Sequence, residues 1–221
     1  MGRVGRSRVT LKLLNRCLVV AAFLVAIAGV LALRNQHTAH QMAVHQALVA
    51  ATKTMVPSTL KPAPSAYQSY TAPADLARYI SIPAIHVQAI VGSVGLTNAD
   101  AIGTPSNVYD TDWYNGSAKP GQPGAALIDG HVSSWTTNGV FYNLRQLVAG
   151  NQIKITRGDG QILNYIVVKV QVYQQNAVDI RALLSPINPL KSGLNLITCT
   201  GNIVKGTNEF SQRVVVYTSL E

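Results

Sequence analysis

Cysteine is nearly absent from this chain of 221 residues: there are two, Cys17 and Cys199. Cys17 heads an apolar run near the N-terminus, and Cys199 lies in a β-like stretch near the other end. If the run crosses a bilayer the two thiols cannot meet, which excludes a structural disulfide between them. Acidic residues are also scarce, with nine Asp/Glu against 18 Lys/Arg and a formal net charge of +9. Such an excess can mark a nucleic-acid binder, but its distribution excludes that reading. Residues 1–34 carry Arg3, Arg6, Arg8, Lys12, Arg16 and Arg34 and no acid, whereas residues 74–221 hold ten basic and nine acidic residues. His37, His40 and His45 have no carboxylate or thiol beside them, so no metal centre is expected there. No internal repeat is visible.

The apolar run, Cys17 to Leu33, has 17 residues and no charge, at the short end for a membrane span. Basic residues precede it, so the positive-inside rule places residues 1–16 in the cytoplasm as a basic tail and the rest outside. The run exceeds a usual signal-peptide core, and Leu31-Ala32-Leu33 is no small-residue cleavage site, so an uncleaved anchor over 17–33 is expected. Residues 34–73 read as a polar stalk passing into a semi-rigid spacer, with Pro57, Pro62, Pro64 and Pro73.

From residue 74 the texture is β. Tyr79–Ile82 continues into Pro83–Val91, Ala125–Ile128 ends at Asp129-Gly130, and Leu194–Thr198 and Arg213–Thr218 complete the apolar set. Gln152–Thr156 alternates and is joined to Gln161–Tyr173 through Arg157-Gly158-Asp159-Gly160, a strong hairpin signal. Val140, Phe141, Leu144, Leu147 and Val148 recur at helical spacing and stop at Gly150; Asp179 to Leu184 reads as a turn of helix ended by Pro186. Short strands separated by turns predict an all-β, closed or nearly closed barrel with short helices.

Three strand ends carry chemistry. Cys199 follows Leu194–Thr198 and precedes Thr200-Gly201-Asn202, His131 follows Asp129-Gly130, and Arg213 opens a valine-rich strand. A thiol attacks as thiolate. An imidazole can take its proton and return it to a leaving amine. A guanidinium offers a fixed fork of donors to a carbonyl or oxyanion, with Thr198, Thr200 or the backbone after Cys199 as further donors. Together these are the parts of thiol-based acyl transfer. His86 reads as structural. Asp129 and Trp135 are candidates to line the site without a catalytic role.

The same residues resemble the sortase family. Leu196-Ile197-Thr198-Cys199, followed by Arg213, is similar to the sortase signature around its nucleophile. Gly124–Val132 is similar to the strand ending in the catalytic histidine, and Ile82–Ile85, Gly139–Leu144 and Gly150–Ile153 resemble further family segments. The resemblance covers residues 79–218. It implies a sortase-like closed barrel of about eight strands behind one N-terminal transmembrane helix, with residues 74–221 as the catalytic domain and Cys199, His131 and Arg213 as its catalytic residues. It implies a transpeptidase cutting an LPXTG-like sorting motif between Thr and Gly. The expected partners are secreted proteins carrying that motif and an amine acceptor, either a peptidoglycan precursor or a pilin lysine. Asp112–Gly121 resembles a loop of class F sortases. Calcium-dependent class A members need acids between Gln174 and Gly193, where only Asp179 stands, so neither calcium nor any other cofactor is expected. Two other readings remain open: an extracellular thiol hydrolase or peptidase, and a non-catalytic surface barrel used for adhesion.

Overall fold

The computed structural model describes residues 58–98 and 102–221. The expected anchor at 17–33, Cys17 and the three early histidines lie outside them. No helix among the described residues is long and apolar enough to cross a membrane.

Eight strands close into a barrel in the order β1-β2-β3-β4-β7-β8-β6-β5. They are β1 (Ala77–Ile82), β2 (Val87–Val94), β3 (Thr111–Tyr114), β4 (Ala125–Gly130), β5 (Gln152–Arg157), β6 (Ile162–Gln174), β7 (Gly193–Ile203) and β8 (Phe210–Leu220). Two short helices accompany them, α1 (Pro64–Ser69) and α2 (Ile180–Leu184). Pairing is antiparallel except for β2–β3 and β4–β7.

Side chains alternate across a strand, so each strand supplies two faces. The inner face fills the barrel with Ile80, Ile82, Val91, Ile128, Ile153, Tyr165, Leu196 and Val216 among others. A second apolar cluster, with Leu127, Ile197, Val215 and Tyr217 from β4, β7 and β8, lies on the opposite face. Ile102, Val178 and Leu183 cover it. Both faces of β4, β7 and β8 are therefore buried, which is why these strands read as unbroken apolar runs. Asn195 locks the cover down: its Nδ2 donates to the carbonyls of Leu183 (2.8 Å) and Ser185 (3.1 Å).

The hairpin at 157–160 and the turn of helix at Asp179–Leu184 are present; Asp179 caps α2 by accepting from the Arg181 N–H. Other expectations are corrected. Val140–Val148 forms turns and one 3₁₀ turn, Leu144–Gln146. The N–H groups of Val140 and Phe141 donate to Val108 and His131, so no helical ladder starts, and Phe141, Leu144 and Leu147 plug the barrel core instead. The run from Tyr79 to Val91 breaks into two strands around Pro83–Ile85, with His86 at φ 54° in the turn. Cys199 does not end its strand: β7 runs on to Ile203, with a register shift between Thr200 and Ile203 and Gly201 at φ 84°.

From Ser58 onward, the stretch expected as a spacer lies against the barrel. Ser58 bridges Asn107, the Tyr67 and Tyr70 hydroxyls donate to the carbonyls of Gln88 (2.9 Å) and Val91 (2.8 Å), and Arg78 Nε donates to the Tyr70 carbonyl (2.7 Å). Tyrosine contributes an apolar ring and a hydroxyl that finds a backbone partner, which lets a proline-rich segment dock without joining the sheet.

Candidate active site

Strand register brings the three expected catalytic residues abreast. In the parallel β4–β7 pair Asp129 stands opposite Ile197. Carrying that register two residues further puts His131 level with Cys199. In the antiparallel β7–β8 pair Cys199 stands directly opposite Arg213. By alternation Cys199 and Arg213 share the outer face with Ile197 and Val215, at the edge of the second apolar cluster.

Cys199 is a free, partly exposed thiol. Burial pushes its pKa up to about 11; the Arg213 guanidinium pulls it down, and Asp129 and Glu209 push it up. At pH 7 roughly one molecule in ten thousand then carries a thiolate. The resting nucleophile is a neutral thiol whose proton must leave as attack proceeds.

His131 is held from two sides. Its Nε2 lies 2.8 Å from the Pro105 carbonyl. A carbonyl only accepts, so Nε2 carries the proton and Nδ1 is the nitrogen left to exchange one. Its own carbonyl accepts from Phe141 N–H at 3.0 Å. The preceding Gly130 makes this possible: a Cβ there would come within 2.6 Å of the Phe141 ring and 2.8 Å of Val140.

Arg213 is 4% exposed. Its Nη1 donates to the carbonyls of Phe210 (2.8 Å) and Gln212 (2.9 Å), which fixes one arm of the fork. Thr198, expected as a weak oxyanion donor, is 2% exposed, and its hydroxyl donates to the Gly130 carbonyl at 2.7 Å. That bond ties the residue before the nucleophile to the residue before His131. Thr200 stands opposite Gln212, one residue past Cys199. Trp135 is 72% exposed in the loop after His131, and His86 sits in the β1–β2 turn.

Sequence reasoning missed a group of carboxylates. Asp112 stands directly opposite Asp129 across β3–β4. It lies over β2, where a Cβ on Gly92 would come within 2.1 Å of its Oδ1. Burial, and then the negative charges of Asp129 and Asp110, raise Asp112 to about 7. Burial also raises Asp129, against the pull of His131, the Gly130 N–H and Arg213. Asp110, likewise raised by burial, has a buried Oδ1 without a partner. Among the described residues no group of His, Cys, Asp and Glu could hold a metal ion. The sequence placed Asp112 in a loop; only the β3–β4 pairing reveals that it faces Asp129.

The pair makes stability depend on pH. The folded protein holds Asp112 protonated up to about 7, whereas an unfolded aspartate ionises near 4. Its stabilising contribution is full below about pH 4 and is lost as pH rises through about 7, on the order of 2 kcal/mol for a group with some solvent access. Thermal melts should show the wild type weakening between pH 4 and 8 and Asp112→Asn weakening less. Parallel curves for the two proteins would reject this account.

A family model for the sortase domain matches residues 80–221. The chain belongs to the sortase family. Solved sortases share its fold. Sortase C-1 of Actinomyces oris is 26% identical over 76% of this chain and 90% of its own, with a TM-score of 0.52. A lid mutant of sortase A from Corynebacterium diphtheriae is 23% identical over 85% of this chain and 95% of its own, TM-score 0.52. Sortase C-1 of Streptococcus pneumoniae is 18% identical over 83% and 85%, TM-score 0.53. A search of curated proteins gave no match. Sortases named A and C resemble this chain to similar degrees, so the likeness is to the family as a whole. The family match spans every strand from β2 to β8, most of β1, and all three aligned residues.

Proposed function

We propose that this sortase is a membrane-anchored transpeptidase in which Cys199 is the nucleophile, His131 the proton carrier and Arg213 the carbonyl and oxyanion donor. The observation that carries the reading is the alignment of these three on one barrel face. The Cys199 sulfur attacks an amide carbonyl while its proton passes to His131 Nδ1. Negative charge collects on the carbonyl oxygen, and the arm of the Arg213 fork not tied to Phe210 and Gln212 stabilises it. The imidazolium then protonates the leaving amine as the C–N bond breaks, leaving a thioester. A second amine attacks the thioester and His131 takes its proton, which restores the thiol.

The substrate in this reading is an LPXTG-like motif. An extended segment opening with two apolar residues matches the apolar side chains of Leu127, Ile197 and Val215 beside Cys199. The donors are secreted proteins carrying the motif, and the acceptor is an amine on a peptidoglycan precursor or a pilin lysine. Asp112–Gly121 supports a class F assignment by its likeness to the loop of that class.

The basic tail and the apolar run at 17–33 support an N-terminus in the cytoplasm and a catalytic domain outside. Tethering enzyme and substrate to one membrane raises their effective concentration and offsets weak recognition of a short motif. Protease added to intact cells should release the catalytic domain; a protected domain would overturn the topology.

The deciding experiment incubates the full chain in detergent with an LPXTG-like peptide and increasing amounts of a glycine-rich amine. Mass spectrometry should show the joined product rising with amine concentration. Hydrolysed acid alone at high amine would assign a thiol hydrolase. No cleavage, together with no labelling of Cys199 by a peptide vinyl sulfone, would assign a non-catalytic barrel.

A further inference from the structure

The Pro105 carbonyl, which orients His131, belongs to a loop that is itself held from outside the barrel. Ser58 N–H donates to the Ser106 carbonyl (2.8 Å), and Val108 N–H donates to the Ser58 carbonyl (2.9 Å). Asn107 Nδ2 donates to the Leu60 carbonyl (2.9 Å), while its Oδ1 accepts from Tyr109 N–H (2.9 Å). On the far side Val140 N–H donates to the Val108 carbonyl (2.9 Å), and the next residue, Phe141, bonds the His131 carbonyl (3.0 Å). Val108 is wholly buried between these attachments. The loop is thus gripped by the chain entering the domain on one side and by the turn behind His131 on the other.

We propose that residues Ser58–Leu60 form a clasp on Ser106–Val108 that holds the Pro105 carbonyl against His131 Nε2, making Asn107 and the Ser58 backbone positioning groups for the catalytic histidine. The proposal rests on the reading of His131 as the proton carrier. With Nε2 anchored, the ring is fixed about its long axis and Nδ1 keeps one direction for exchange with the thiol and the leaving amine. Without the clasp, residues 105–107 lose their outer attachments, and the ring gains orientations in which Nδ1 misses its partners. Displacements of about 1 Å at a reacting group can cost two orders of magnitude in rate. The segment entering the domain, in sequence a mere spacer, then becomes part of the catalytic apparatus.

Two variants of the full chain in detergent micelles test this. Asn107→Asp keeps an oxygen for Tyr109 N–H but loses the donor to Leu60. Ser58→Pro removes the N–H that reaches Ser106. The first readout is the His131 Nε2–H signal in ¹H–¹⁵N spectra of histidine-labelled protein, assigned by its loss in His131→Gln. The second is kcat against KM for peptide cleavage. The wild type should show an exchange-protected Nε2–H. Both variants should lose that protection and drop kcat by about tenfold while KM stays within about twofold. A protected signal, or an unchanged kcat, in either variant overturns the clasp, as does a wild type without the protected proton. If the wild type turns over no peptide, the functional reading fails, while the proton signal still decides the clasp.

Discussion

Replacing Cys199 with alanine should abolish acyl-enzyme formation and leave the barrel folded. The thiol supplies the only covalent step in the proposed reaction, so no partial route remains: neither the imidazole nor the guanidinium can form the thioester. The fold should barely notice. The substitution removes one partly exposed sulfur, worth less than about 1 kcal/mol of burial. The neighbouring contacts do not involve the thiol: Arg213 Nη1 stays on Phe210 and Gln212, and Thr198 stays on Gly130. Intact-mass measurement after incubation with a motif peptide should show an adduct on the wild type and none on Cys199→Ala, at closely similar melting temperatures. An adduct on the alanine variant would remove Cys199 from its role. The same thiol should reveal its environment to a small alkylating agent. With its pKa pushed up to about 11, alkylation should quicken about tenfold per pH unit from 7 to 10 and not level off near 8.5, where an ordinary cysteine does.

Much of this site was legible in the sequence because its parts sit in short, strongly patterned strands. Leu194–Thr198 and Ala125–Ile128 announce buried strands, and a Cys and a His follow each directly. Only pairing partners, which the sequence does not state, convert those positions into an aligned site. The misreadings share a cause: local signals were overridden by contacts distant in sequence. Thr200-Gly201-Asn202 looks like a turn, but the Ser211 hydroxyl accepts from Asn202 N–H across the sheet and the ladder continues through a bulge. Val140–Val148 has helical periodicity, yet its first N–H groups are claimed by Val108 and His131. The proline-rich segment has the composition of a free spacer, yet its tyrosines find β2 carbonyls. The Pro105 carbonyl left no trace at all, since a backbone oxygen has no residue type to read.

His131→Ala should be the second large loss, on the order of 10²- to 10⁴-fold in turnover. Because burial keeps the thiol protonated at neutral pH, attack requires a local acceptor for its proton, and departure of the amine requires a donor. His131 serves both steps through Nδ1, since Nε2 is committed to Pro105. Losing the ring should therefore slow thioester formation with amide substrates far more than with activated thioesters or esters, whose leaving groups depart without a proton. Pre-steady-state acylation with a matched amide and ester pair measures the difference directly. Equal losses for both would make His131 an orienting residue for Cys199 and move the proton-transfer role elsewhere. The carboxylates of Asp129 and Asp112 would then be the next groups to test, because they share the outer face with the reacting residues. His86 makes the natural control: it stands in the β1–β2 turn, and His86→Ala should retain the wild-type ratio of amide to ester rates.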